Sequence, residues 1–415
     1  MTVLLVFAVV LLVAVLLSDL AERSVLSTAV LFLIAGFALG PAVGGVLPSA
    51  GADEELVQRL AEFALFSVLL TDGMRSGVRQ LTTAWRLPGR ALLLGMPLVF
   101  ALTVLAGWTI AGLGLAEAAL LGAVLAPTDP VFASAIVGRE EVPARLRHLL
   151  NVESGVNDGL ALPVVLVLLS MLGGGHASAG ALASELALGV VIGVAVPWIA
   201  VRLESSRWLA AEAGHRVLLL VAVGLLVFAL AEVLHANLFL AAFAAGVTLA
   251  TVGPQLSAAF HDVGELAAEL LKLAALLVFG ASISPQFLAE IPVTGWLFAL
   301  VTLLLVRPVA LQVALVRSEL DRPERIVAGW FGPKGFASVV YGLLVVESGI
   351  AAADELFHLA ALVIVASMLA HSSTDVAVAR WFARAEAAAE PEMDPAQRRA
   401  RQQADAHAAA AESGP

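Results

Sequence analysis

The sequence predicts an all-α, polytopic membrane protein, and three observations carry that prediction. Of 415 residues 60% are hydrophobic and 14% charged, far more apolar than the core of a soluble domain requires. Apolar runs recur from Met1 to about Arg380, many of them near the roughly 20 residues a helix needs to cross a bilayer. Arginines gather in every second joint between those runs, the asymmetry that marks the cytoplasmic side of a membrane.

Taken in order, the runs divide into thirteen expected spans. The first, 2–18, has no Lys or Arg before it and meets Arg23 only after it. That is the reverse of a secretory signal, so it should persist as a helix with its N-terminus outside. The second, 25–43, carries Gly36, Gly40 and Gly44, a ladder of small residues that lets helices approach closely and reads as helix packing or a dimer seam. The third, 55–74, follows the acidic joint Asp53-Glu54-Glu55 and ends near Asp72. Arg75, Arg79, Arg86 and Arg90 then form an inside joint before 91–113. Spans 116–137 and 148–171 are separated by Arg139, Arg145 and Arg147, and 179–201 and 214–233 by Arg202, Arg207 and Arg216. After 237–252 and 264–283, span 292–316 runs into Arg317, Arg322 and Arg325, and 324–349 and 355–379 complete the set. Arg59 is nearly the only outside exception. Arg384, Arg398, Arg399 and Arg401 also belong inside, which requires an odd number of spans.

Residues 1–382 therefore read as one membrane domain, and 383–415 as a disordered cytoplasmic tail rich in Ala, Glu, Gln and Arg with no apolar face to pack. A tail of that length holds no nucleotide-binding domain, so an ion gradient is the expected source of energy. The formal net charge of −11 and the lack of a basic stripe speak against nucleic acid. The chain has no Cys, which excludes disulfides and thiolate chemistry. Arg outnumbers Lys and Ala is abundant, as in proteins of GC-rich bacteria, and the inner (plasma) membrane of a prokaryote is the expected location.

Two spans contain helix-hostile residues at mid-membrane depth: Ala126-Pro127-Thr128-Asp129-Pro130 in the fifth and Gly332-Pro333-Lys334-Gly335 in the twelfth. Proline removes an amide donor and clashes with the preceding turn, so both should unwind. Unpaired backbone survives in a bilayer only inside protein or along a wet cavity. The two breaks lie about half a chain apart, the spacing of two inverted repeats that each contribute an interrupted helix.

Charged groups within spans are costly and usually mark a pathway. Here they are Asp72, Asp129, Glu153, Asp158, Lys272, Arg307 and Lys334. The densest cluster is Glu153-Ser154-Gly155-Val156-Asn157-Asp158. Residues four apart stack on a helix, so Glu153 and Asn157 share one face and Ser154 and Asp158 the adjacent one. The Ser154 hydroxyl, the Asp158 carboxylate and the Thr128 hydroxyl or carbonyl offer the oxygen ligands that suit a hard monovalent cation. Asp129, between two prolines, either caps a half-helix in the break or touches the ion itself. Lys334 needs an anion at depth, and Glu153 is its expected ion-pair partner. Arg307 and Lys272 read as packing or lipid-facing residues, and Asp72 as an extra ligand or an interface residue. The histidines, including His235 and His371, read as satisfied polar side chains.

The segments Ala126-Pro127-Thr128-Asp129-Pro130-Val131, Glu153-Ser154-Gly155-Val156-Asn157-Asp158-Gly159 and Phe331-Gly332-Pro333-Lys334-Gly335 together resemble the monovalent cation:proton antiporter family, in its electroneutral NhaP-like branch with an Asn-Asp pair. The resemblance implies thirteen helices, two crossed broken helices within a mobile six-helix core, and a homodimer. It maps the family's ion-binding aspartate onto Asp158, its asparagine onto Asn157, its serine onto Ser154, the threonine and aspartate of the first break onto Thr128 and Asp129, and an acidic third-helix residue onto Asp72. The family more often carries Arg where this chain has Lys334, and Lys lacks the planar fork that binds a carboxylate through two bonds.

The implied activity is exchange of Na⁺, Li⁺ or K⁺ for H⁺, in the service of pH homeostasis. A carboxylate withdrawn from water holds its proton more tightly, so proton and cation compete for Asp158. If only the loaded site crosses the barrier, the two gradients are coupled by alternating access. Asn157 adds no titrating charge, which predicts an electroneutral one-for-one exchange. No cofactor is needed beyond the transported ions, the remaining partner is membrane lipid, and the protein is not expected to be an enzyme. An intramembrane aspartyl protease built on Asp129 and Asp158 is disfavoured by the prolines around Asp129. A cation channel and a carrier of organic solutes are the remaining rivals.

Overall fold

The computed structural model describes residues 2–17, 28–47, 54–75, 85–129, 136, 139, 141–173, 179–206, 211–212, 215–283 and 285–389. Pro130, Val131, Arg23, Arg79, Arg207, Asp53 and the tail from 390 onward, all named above, lie outside them, and so do the side chains of Glu54, Glu55, Arg59 and Arg75. Every regular element among the described residues is helical. Each expected span meets a helix, and six helices are by themselves long and apolar enough to cross a membrane.

The helices are α1 (Thr2–Leu16), α2 (Thr28–Leu39), α3 (Glu54–Arg75), α4 (Arg86–Ala111), α5 (Leu115–Val124), α6 (Ala144–Leu172), α7 (Ala179–Glu204) and α8 (Arg216–Val233). They continue as α9 (Leu238–Val252), α10 (Pro254–Ser282), α11 (Pro285–Glu290), α12 (Val293–Ala314), α13 (Arg322–Trp330), α14 (Phe336–Glu347) and α15 (Ala353–Ala389). Local chemistry accounts for the boundaries. Asn237 caps α9 by accepting from the Leu240 amide at 2.9 Å. Asp321 and Glu324 form a reciprocal capping box at the start of α13. Gly112, at φ +78°, closes α4 in the left-handed region. Within α4 and α12, the π-turns Ala91–Gly95 and Thr302–Val306 immediately precede Met96-Pro97 and Arg307-Pro308. Each proline deletes one amide donor, and the widened turn lets the helix continue.

Several elements are too short to span alone, and α5, α13 and α14 among them flank the two proline-containing segments. At 1.5 Å per residue the 10 residues of α5 reach about 15 Å, half the hydrocarbon thickness. The segment after α5 is non-helical through Asp129, and α13 and α14 are likewise separated by the non-helical Phe331–Gly335 stretch.

The helices sort into two groups. In the first, α3 lies along α9 and α10, α9 along α7 and α8, and α10 along α2. Added Cβ atoms on Gly36 and Gly280 would collide with the backbone of the facing helix, and Gly73 and Gly246 form a second such pair between α3 and α9. The Gly36 and Gly40 steps of the ladder therefore serve packing within the chain, on α10, rather than a seam between chains. In the second group α4, α5, α6, α12, α13, α14 and α15 contact one another. The groups meet where α6 lies against α3 and α9, and where α10 lies against α14. At one end of the second group Arg90 donates to the Val316 carbonyl and Arg145 to that of Glu319, which ties arginines of two inside-assigned joints to the backbone of a third. The last helix crosses the expected domain boundary at 382 and runs to Ala389, so the tail begins as helix.

Candidate functional site

The site forms where α6 passes the non-helical segment after α5. Thr128, freed from helical geometry by Pro127, turns its hydroxyl onto α6, where it accepts from the Asn157 amide at 2.7 Å and shares a hydrogen bond with the Ser154 hydroxyl at 3.1 Å. All three residues are buried. The shared face thus joins residues three apart, 154 and 157, rather than Ser154 with Asp158 as the four-residue stacking had suggested. The Asp158 carboxylate is buried one residue on, and its Oδ1 has no hydrogen-bond partner. The Asn157 Oδ1 is also buried and unpartnered. Each such orphan costs about 1–3 kcal/mol. Among other charges Asp158 senses Asp72 and Asp129, which repel it, and Lys272 and Lys334, which attract it.

Asp129 lies at the junction of the two non-helical segments. Its amide donates to the Pro333 carbonyl at 2.9 Å, and its Oδ2 accepts from the Phe336 amide at 3.1 Å. It therefore caps α14, a helix of the other break, where its negative charge meets the positive end of the peptide dipoles. A side chain at Gly335 would collide with Asp129, so this position demands glycine. Tyr341, the chain's one tyrosine, is buried in α14 and donates to the Asp158 backbone carbonyl at 2.7 Å.

Two expectations about ion pairs are corrected. Glu153 is paired with Arg307, which donates from its two terminal nitrogens to the two carboxylate oxygens at 2.7 and 3.0 Å. The same guanidinium donates to the Phe331 carbonyl at 3.0 Å and thereby anchors the end of α13. Arg307 is accordingly neither lipid-facing nor mere packing, because a planar fork satisfies a buried carboxylate as a single ammonium cannot. Lys334 instead directs its Nζ to the Pro127 carbonyl at 3.3 Å, and its amide donates to the Ser367 hydroxyl at 2.9 Å. The fork that Lys334 lacks is supplied from α12. Lys272 is the second correction: it pairs with Asp72 at 3.7 Å, and its ammonium stands 5.9 Å from the centre of the Phe336 ring. Asp72 thus reaches the site from α3 with a cation beside it.

His371 is satisfied, as its residue type suggested: its Nε2 faces the Trp330 carbonyl at 2.8 Å, and its Nδ1 lies 3.1 Å from the Ser367 hydroxyl and 2.6 Å from the Ser367 carbonyl. Ser367 and His371 of α15 therefore brace both ends of the second break. Sequence reasoning passed over Tyr341, Ser367 and the Arg307 pairing. Arg307 had left a signal, since it stood among the few charges at depth.

Similarity to known proteins agrees with this geometry. The chain is 26% identical over 379 residues to the K⁺/H⁺ antiporter NhaP2 of Shewanella oneidensis, covering 89% of this chain and 65% of that protein. It is 24% identical over 383 residues to the K⁺/H⁺ antiporter NhaP of Alkalimonas amylolytica, covering 91% and 66%. It thus spans about two thirds of the length of these curated relatives. The structure of the sodium proton antiporter MjNhaP1 from Methanocaldococcus jannaschii superposes with a TM-score of 0.74 at 18% identity, covering 92% of this chain and all of that one, and shares the fold. Residues 7–381 match the model of the transmembrane sodium/hydrogen exchanger family, and the chain belongs to that family of monovalent cation:proton antiporters.

Proposed function

We propose that this protein exchanges a monovalent cation, Na⁺, Li⁺ or K⁺, for a proton across the membrane, with Asp158 carrying either ion. The observation that carries the reading is the pair of buried, unpartnered oxygens, Asp158 Oδ1 and Asn157 Oδ1, beside the Thr128–Ser154 hydroxyls. A proton on the carboxylate, or a small hard cation among these oxygens, relieves the same deficit, and one excludes the other. Family membership and the antiporter names of the relatives support the choice of substrates.

Charge balance supports one-for-one stoichiometry. The buried carboxylates Asp72, Asp129, Glu153 and Asp158 face the cations Lys272, Arg307 and Lys334, an excess of a single negative charge. Arg307 neutralises Glu153, Lys272 accompanies Asp72, and Lys334 offsets one charge of the remaining Asp129 and Asp158, so a single negative charge is left for one cation or one proton. The exchange is then electroneutral, and no covalent catalysis is involved. In this reading α5 and the α13–α14 pair are the two broken, crossing helices of inverted repeats, and their group is the mobile core. The group containing α3, α9 and α10 is the static partner and the dimerisation part of a homodimer, with the N-terminus outside and the arginine-rich end in the cytoplasm.

The test uses purified protein in liposomes with an acidic interior and a pH-sensitive dye, to which Na⁺, Li⁺ or K⁺ is added outside. Cation-dependent alkalinisation in wild type, lost in Asp158→Asn, establishes exchange and ranks the ions. No response to any of the three cations between pH 5 and 9, in folded protein, overturns the reading, and currents without obligatory exchange would replace it with a channel.

A further inference from the structure

A pocket of about 570 Å³ opens between the first turn of α4 and the segment that follows α12, remote in function from the exchange site. Three arginines line it: Arg86, Arg90 and Arg317. Among the described residues none of them has a carboxylate partner. Arg90 donates only to the neutral Val316 carbonyl at 2.6 Å, and Arg86 and Arg317 are exposed without a hydrogen bond. Arg317 holds φ at +57°, a left-handed conformation that non-glycine residues adopt at a cost. The hydroxyl of Ser318, also on the wall, is buried and unpartnered. Glu319 contributes one carboxylate without an ion pair to the arginines, so the pocket keeps an excess of positive charge.

The rest of the wall includes outward-facing apolar residues. Leu93 and Leu94, one to two turns along α4, are 66% and 51% exposed, and the exposed Trp85 also lines the pocket. An aromatic ring at the end of a lipid-facing helix marks the headgroup level of a bilayer. Guanidinium groups above exposed leucines match a molecule with an anionic head and apolar chains. The arginine bias also assigns this end to the cytoplasmic leaflet, where basic pockets between helices bind acidic headgroups.

We propose that this pocket is a binding site for an anionic phospholipid, whose phosphate is held by Arg86, Arg90 and Arg317 with Ser318, and whose acyl chains lie along Leu93 and Leu94. One wall of the pocket lies on α4 and the other on the segment that leaves α12, and α12 carries Arg307, so the lipid would clamp the group that holds the exchange site.

The test is native mass spectrometry of the full chain in detergent, titrated separately with phosphatidylglycerol, phosphatidylcholine and inorganic phosphate. Wild type is expected to retain phosphatidylglycerol at least about tenfold more strongly than phosphatidylcholine. Arg86→Gln with Arg317→Gln should abolish most of that preference, because these two side chains have no structural partner to lose. If the double variant fails to fold, judged by its melting temperature, Arg317→Gln alone carries the test with a smaller loss in the same direction. Equal retention of phosphatidylglycerol by wild type and variant overturns the proposal. Displacement of the lipid by inorganic phosphate at equal concentration also overturns it, and would assign the pocket to a soluble anion.

Discussion

Two carboxylates on one helix, Glu153 and Asp158, meet the membrane interior in opposite ways. Glu153 has both oxygens bound by Arg307, and the same guanidinium reaches on to the end of α13. Asp158, little more than one turn later, is also buried but keeps an oxygen with no partner. A carboxylate that is fully paired has nothing to gain from an incoming ion. One that is buried and incompletely paired is stabilised by whichever ion arrives. Burial alone therefore does not distinguish these two acids; completeness of pairing does, and it is the basis for proposing Asp158 rather than Glu153 as the exchanging group.

That contrast breaks most sharply at Asp158. Asp158→Asn keeps shape and removes the charge, and exchange in proteoliposomes should fall at least about 100-fold while the melting temperature stays near wild type. Residual cation-dependent proton flux near the wild-type rate would show that the exchanging acid lies elsewhere.

At Glu153 the outcome should be inverted, with stability lost first. Glu153→Gln leaves Arg307 charged and unpaired, and breaking a buried pair from one side costs about 3–5 kcal/mol. The double variant Glu153→Gln, Arg307→Gln leaves no stranded charge and should recover part of that loss. Thermal unfolding of wild type, both single variants Glu153→Gln and Arg307→Gln, and the double variant in one detergent measures the coupling, and strict additivity would deny the pair its structural role.

Competition at Asp158 also has a sign. Protons occupy the carboxylate as pH falls, so each unit of acidification should raise the apparent KM for the cation by up to about tenfold, with maximal rate recovered at high cation. A KM that is flat with pH while the maximal rate changes would place the proton on another group.

The smallest effect is expected at Tyr341. Tyr341→Phe removes one donor to the Asp158 carbonyl, which is worth about 1 kcal/mol in stability, and should leave exchange within a few-fold of wild type. A loss as large as that of Asp158→Asn would make the hydroxyl part of the ion path.

Much of the site was legible in the residues themselves. Asp158, Asn157, Ser154 and Thr128 stood out because few polar groups occur at depth, and Pro127 and Pro333 disclosed where the backbone would leave the helix. Pairing was less legible. Lys334 was the expected partner of Glu153 and Arg307 was read as packing or lipid-facing, whereas the planar fork of Arg307 suits a buried carboxylate better than one ammonium. The π-turn beside Pro308 rotates α12 in a way that hydropathy does not register. Asp129 was placed correctly at a break, but the helix it caps lies about 200 residues away in the chain.

By itself, then, the sequence determined that the chain is all-helical and membrane-bound, where proline interrupts the helical pattern, and which few acids are buried at depth, because each follows from composition, from the missing proline donor or from the local cost of burying charge. Only the tertiary structure decided which cation neutralises which anion, that each break supports the other, and that Asp158 is left incompletely paired. Those outcomes depend on the distance and angle between groups on different helices, and no periodicity along a single chain encodes them.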